Sequence, residues 1–215
     1  MTAPDANSHR RYDAVKRAVD ASLAAAGLVA TAPLQALIAL LVVRDLGRPV
    51  LFRQCRPGLH ARPFTLVKFR TMRDVDVATG LVSDADRLTS FGSLLRGLSL
   101  DELPTLWNVL VGDMSLVGPR PLLPQYLPRY SPEQRRRHEV RPGVTGLAQA
   151  CGRNDLDWPT RLALDVEYVE RRSLALDARI LLRTVALVLR RQGISAAGHP
   201  TMPEFAGTAP QDAHP

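Results

Sequence analysis

The stretch ASLAAAGLVATAPLQALIALLVV, residues 21–43, holds 23 residues without a charged side chain. A helix of that length can cross the ~30 Å hydrocarbon core of a bilayer. Two features argue against a simple crossing. Basic residues stand on both flanks, Arg10, Arg11, Lys16 and Arg17 before it and Arg44 and Arg48 after it, and positive charge prefers the cytoplasmic side, so both ends belong there. Pro33 sits at the middle, where proline removes a helical hydrogen bond and clashes with the preceding turn. Each half is then ~17 Å long, about half the bilayer core. The run therefore reads as a re-entrant hairpin that dips into one leaflet and returns. A signal peptide cleaved near Ala30-Thr31-Ala32, a single span and a buried core helix compete with this reading. The apolar run continues to Val43, past any such cleavage site, and is longer than most cores need.

Working outward, the chain of 215 residues is one domain, two at most. Lys plus Arg number 28 against 21 Asp plus Glu, a net charge of +7. A basic surface suits nucleic acid, anionic lipid or a phosphorylated small substrate. Two cysteines, Cys55 and Cys151, are too few for a disulfide scaffold and lack metal-ligand spacing, which fits a reducing compartment. Residues 50–72 read as two short strands around the turn Arg56-Pro57-Gly58, and 73–85 as a polar loop. Apolar residues at helical spacing mark 86–98. Ser99 and Glu102 form a candidate capping box opening a helix over 100–111. A short basic helix follows from Ser131-Pro132, a Gly/Pro-rich turn region spans 141–154, and two helices, about 158–172 and 177–192, close the body. The last is basic and amphipathic, which suits either a membrane surface or a core-facing position. The fold class is α/β, mainly α, with a short β-hairpin and interfacial helices. Residues 1–47 form the tail and re-entrant membrane helix, 48–192 a compact cytoplasmic domain, and 193–215 an irregular tail.

SLDELP, residues 99–104, sets two carboxylates, Asp101 and Glu102, side by side in a first helical turn. Such carboxylates serve a helix N-terminus in many proteins. Here they share the chain with Arg96 and with Arg120, Arg141 and Arg153, the last three each beside Gly or Pro in a loop. The guanidinium fork matches phosphate oxygens. Acidic residues among such arginines suggest a divalent cation with phosphate groups, and hard oxygen donors without a His/Cys cluster indicate Mg²⁺.

The runs KFRTM (68–72), SLDELP (99–104), GDMSLVGPRPLL (112–123), RHEVRPGVTGLAQACGRN (137–154) and LDVEYV (164–169) closely resemble the bacterial sugar transferase family. These are the monotopic phosphoglycosyl transferases that begin lipid-linked glycan assembly, and the resemblance covers nearly the whole chain. The tail is similar to minimal members that use UDP-diacetylbacillosamine or a related UDP-sugar. The resemblance implies a re-entrant helix broken at Pro33, an enzyme at the cytoplasmic face of the bacterial inner membrane, and anionic inner-leaflet lipid around it. It implies a two-step transfer: Asp101 takes the phosphosugar from a UDP-sugar, releasing UMP, and undecaprenyl phosphate then accepts it. Glu102 would help hold Mg²⁺. Arg96, Arg120, Arg141 and Arg153 would bind phosphate groups, with Asn154 and Asp165 nearby and Lys68 and Arg70 as further candidates. His138 is read as packing. The chain departs from the family at Ala32-Pro33, commonly Ser-Pro, and at Leu147-Ala148-Gln149, commonly Trp-Ala-Gln.

Two other readings frame the expectation. A nucleic-acid binder would use the Arg135-Arg136-Arg137 run, yet only 5% of residues are aromatic, few for base stacking. A non-catalytic scaffold of a glycan assembly complex would not need the intact Asp101-Glu102 pair. The sugar, the glycan pathway and the oligomeric state are not set by the sequence.

Overall fold

The computed structural model describes residues 6–152, 156–189 and 204–207. Arg153, Asn154 and most of the 193–215 tail lie outside the described residues. Helix α1 runs Ala6–Leu46 with Pro33 inside it. The sequence predicts an interruption at Pro33; instead the helix continues through it. Proline deletes one N–H, the partner of the Val29 carbonyl, while the Ala- and Leu-rich flanks keep theirs. Thr31 Oγ1 donates to the Gly27 carbonyl (2.6 Å) and Gln35 Nε2 to Thr31 Oγ1 (2.9 Å), so a hydroxyl stands one residue before the Ala32 position. The segment Tyr12–Leu46 is long and apolar enough to cross a membrane.

Strands β1 (Leu51–Pro57) and β2 (Pro63–Phe69) pair antiparallel as expected, from Leu51↔Phe69 to Pro57↔Pro63. A single turn, α2 (Asp84–Arg87), precedes α3 (Ser90–Gly97). The helix expected over 86–98 begins late because Thr89 Oγ1 accepts the Gly92 N–H (2.9 Å) and resets the start. Helix α4 covers Thr105–Val111, after a 3₁₀ turn Leu100–Glu102. β3 (Ser115–Val117) pairs in parallel with β4 (Gly143–Thr145). The backbones meet so closely that a Cβ on Gly143 would lie 2.1 Å from the Gly118 nitrogen. Between them come a 3₁₀ segment (Pro124–Arg129), α5 (Pro132–Arg135) and a 3₁₀ turn (Arg136–Glu139). Helices α6 (Leu147–Cys151), α7 (Trp158–Arg171) and α8 (Leu174–Leu189) close the described body.

Helix α1 is tied down at both ends. Near its start, Arg17 donates to the Val109 and Leu110 carbonyls (2.6 Å each), Lys16 pairs with Asp177 (2.9 Å), and Asp20 accepts from Ser115 Oγ (2.7 Å). Near its end, Thr89 donates to Asp45 (2.7 Å) and Arg70 to the Leu46 and Gly47 carbonyls. Ala24 packs with Val109 and Met114, and Ile38 and Val42 pack with Phe69 and Leu95. No residue between Ala24 and Ile38 is buried. α8 buries Ile180 beside Val117 and Tyr168, and leaves Leu174, Leu182 and Val185 exposed.

Candidate active site

The acidic pair is positioned by a backbone the sequence reading does not anticipate. Ser99 adopts the left-handed region (φ 56°) and its side chain caps nothing, a conformation that costs a non-glycine residue ~1–2 kcal/mol. The expected Ser99–Glu102 capping box is therefore absent. Pro104 has no N–H to offer Leu100, which disfavours one helix over 100–111; the chain makes a 3₁₀ turn and starts again at Thr105. That turn points Asp101 inward, with 5% of its surface exposed, and frees Glu102 for Arg120, whose Nη2 donates to its Oε1 (2.8 Å).

Side chains of α4 fasten the turn to the hairpin. Among the described residues the outer edge of β2 has no strand partner, and α4 side chains fill that role. Asn108 Oδ1 accepts the Val67 N–H (3.0 Å), its Nδ2 donates to the Thr65 carbonyl (2.7 Å), and Thr105 Oγ1 donates to the Val67 carbonyl (2.9 Å). This stitching leaves the next strand residue, Lys68, within the electrostatic reach of Asp101 and Glu102. Arg96, on α3, lies within the electrostatic reach of Asp101, with its guanidinium held by Thr71 Oγ1 (3.0 Å) and Met72 Sδ (3.0 Å).

The electrostatics follow from burial among opposed charges. Burial and the Glu102 carboxylate push Asp101 above the usual carboxylate range, while Lys68, Arg96 and Arg120 pull it back. Burial lowers the Lys68 ammonium, opposed by both carboxylates. Among the described residues, three cations thus face two carboxylates.

The structure brings Lys68, Arg96, Arg120, Asp101 and Glu102 together. It takes Arg70 and Arg141 elsewhere and gives Asp165 another partner. Arg70 closes the end of α1 and pairs with Asp74 (3.3 Å). Arg141 donates from Nε to the Gly112 carbonyl (2.9 Å) and lines a cavity of about 240 Å³ with Lys16 and Arg17. Asp165 is buried against Arg137 (2.7 Å, each side chain 2% exposed). Arg137 is the residue the sequence reading missed. Its Nη2 also donates to the Arg120 carbonyl (2.7 Å), so the buried pair holds the backbone from which Arg120 reaches Glu102. Its place as the third arginine of a basic run hides this. Arg136, beside it, pairs instead with Glu133, Glu139 and Glu170. His138 is buried and held down to about 4 by desolvation and by Arg137.

Among the described residues no three His, Cys, Asp or Glu side chains gather as a metal cage. Two adjacent carboxylates do suit Mg²⁺, which commonly takes one or two carboxylates and completes its shell with water and substrate phosphates. Glu102, nearer the surface, and Asp101 are the residues that could hold it.

The bacterial sugar transferase model matches residues 11–191. Among curated proteins, the uncharacterized sugar transferase EpsL of Bacillus subtilis is 54% identical over 80% of this chain and 86% of that one. The UDP-glucose:undecaprenyl-phosphate glucose-1-phosphate transferase of Caulobacter vibrioides is 44% identical over 82% of this chain and 70% of its own length. The undecaprenyl-phosphate galactose phosphotransferase of Salmonella typhimurium is 38% identical over 83% of this chain but only 41% of its own.

Proposed function

The chain belongs to the bacterial sugar transferase family, and from that premise we propose that it moves a phosphosugar from a UDP-sugar to undecaprenyl phosphate through a covalent intermediate on Asp101. The observation that carries this reading is the buried Asp101 beside Glu102, within reach of Lys68, Arg96 and Arg120. In the first step a carboxylate oxygen of Asp101 attacks the phosphorus bearing the sugar. The P–O bond to UMP breaks, and UMP leaves with the electron pair. In the second step a phosphate oxygen of undecaprenyl phosphate attacks the same phosphorus, the acyl–phosphate bond breaks, and the Asp101 carboxylate is regenerated. Arg96, Arg120 and Lys68 offset the charge on the phosphoryl oxygens. Bound Mg²⁺, held by Glu102 with Asp101, would neutralise diphosphate charge. The relatives named for glucose and galactose transfer favour a UDP-hexose donor.

The same reading extends to the membrane. Both ends of the apolar run in α1 are bonded to one body, and the residues between them are not buried in it. A full crossing would put the bilayer between two ends that hold the same domain, so we infer re-entry from the cytoplasmic face of the inner membrane. The exposed Leu182 and Val185 on α8, beside Arg179 and Arg183, suit an anionic lipid surface.

Protein in nanodiscs is incubated with a panel of UDP-sugars, Mg²⁺ and undecaprenyl phosphate. UMP release with one sugar, and a phosphosugar mass on Asp101 when the lipid is withheld, are expected. Transfer without any adduct, or an adduct elsewhere, would overturn the Asp101 assignment. For the topology, cysteines placed at 13 and 45 in a protein freed of Cys55 and Cys151 should both be labelled from the cytoplasmic side. Labelling from opposite sides rules re-entry out.

A further inference from the structure

We propose that the Glu102–Arg120 ion pair is a lock that a diphosphate and a divalent cation open together, so that the cation binds tightly only with the diphosphate present. The inference rests on the transferase reading above. The Arg120 and Glu102 side chains are 43% and 23% exposed, open enough for either partner to be exchanged. With Lys68 and Arg96 the described residues of the site already set three cations against two carboxylates, so an incoming divalent ion meets excess positive charge. It also meets too few donors, because Mg²⁺ demands six oxygens in near-octahedral array and no third carboxylate or imidazole gathers here among the described residues.

A diphosphate changes both terms. Its negative charge reverses the local excess, and its oxygens supply the missing ligands. The Arg120 fork can move from a carboxylate to a phosphate, which it matches equally well, so that the Glu102 oxygen it held can turn to the cation. The Arg120 backbone need not follow, since Arg137 grips its carbonyl (2.7 Å). The coupling is reciprocal, so each ligand raises the affinity of the other by the same factor.

The test is binding, not turnover. Mn²⁺ stands in for Mg²⁺ and is followed by electron paramagnetic resonance on the full chain in nanodiscs, with UDP as the diphosphate. Binding is compared with that of the Mn²⁺–UDP complex free in solution. UDP should tighten Mn²⁺ binding about tenfold or more, and Mn²⁺ should tighten UDP by the same factor. Arg120→Gln should tighten Mn²⁺ binding to the nucleotide-free protein severalfold while weakening UDP, and Arg120→Lys should fall between, with thermal melts checking that both variants fold. Equal Mn²⁺ affinity with and without UDP overturns the lock, as does an Arg120→Gln variant with unchanged Mn²⁺ affinity. Absence of any UDP binding, with Mn²⁺ or without it, overturns the transferase reading itself.

Discussion

Two arginine–carboxylate pairs are joined through one backbone carbonyl, and they differ most in burial. Arg137 and Asp165 meet at 2.7 Å with 2% of either side chain exposed, and Arg120 and Glu102 meet at 2.8 Å with 43% and 23% exposed. A buried pair carries a large desolvation cost that only its partner offsets, so it is permanent. A half-open pair is held weakly and can be traded for a ligand. The hydrogen bond from Arg137 to the Arg120 carbonyl makes the permanent pair the support of the exchangeable one.

If that division is right, damage at the open site removes chemistry and damage at the closed one removes the fold. The largest effect belongs to Asp101→Asn. An amide cannot form the acyl phosphate, so UMP release should fall at least ~10³-fold while the protein stays folded; turnover near wild type would end the nucleophile assignment. Next comes Asp165→Asn, which strands the Arg137 charge and should cost ~3–5 kcal/mol in denaturant unfolding. The double change Asp165→Leu with Arg137→Met should recover most of that loss, and no recovery would mean that the pair does more than satisfy itself. His138, pushed to about 4 by burial and Arg137, gives a third measure. It binds fewer protons folded than unfolded, so its contribution is whole above pH ~6.5 and is lost as pH falls through 4, a total of ~3 kcal/mol. His138→Gln should flatten that limb of the stability curve. Arg120→Gln, by contrast, should shift stability by less than about 1 kcal/mol. A larger shift would remove the contrast between the pairs.

The sequence made local features legible. The hairpin, the acidic pair and the closing helices lie within a few residues of their expected positions, because strand alternation, turn chemistry and helical spacing are short-range signals. The fate of each arginine was not legible. Arg70, Arg120 and Arg141 look alike beside strand, Pro and Gly. What separates them is which acceptors the fold leaves open: the end of α1 for Arg70, Gly112 for Arg141, Glu102 for Arg120. Those acceptors are 18–29 residues away in sequence. Arg153 and Asn154 lie outside the described residues. The capping box failed for a local reason: Pro104 denies Leu100 its bond, and Ser99 turns left-handed.

The smallest effect tests the open site from the side of stability. Asp101 is buried and sits against Glu102, and both raise its pKa. An acid raised on folding binds more protons folded than unfolded. Its contribution is therefore most favourable below the ordinary carboxylate value and is lost as pH rises through the raised one. Wherever the raised Asp101 is ionised, it should make the fold weaker than a neutral isostere would. Asp101→Asn, dead in transfer, should then be more stable than the wild type, read as a higher Tm. Relative to the variant, the wild type should lose ground as pH climbs above the ordinary carboxylate range. A variant less stable than wild type at neutral pH would mean that Lys68, Arg96 and Arg120 already outweigh burial, and that the three cations hold the carboxylate charged before any phosphate arrives.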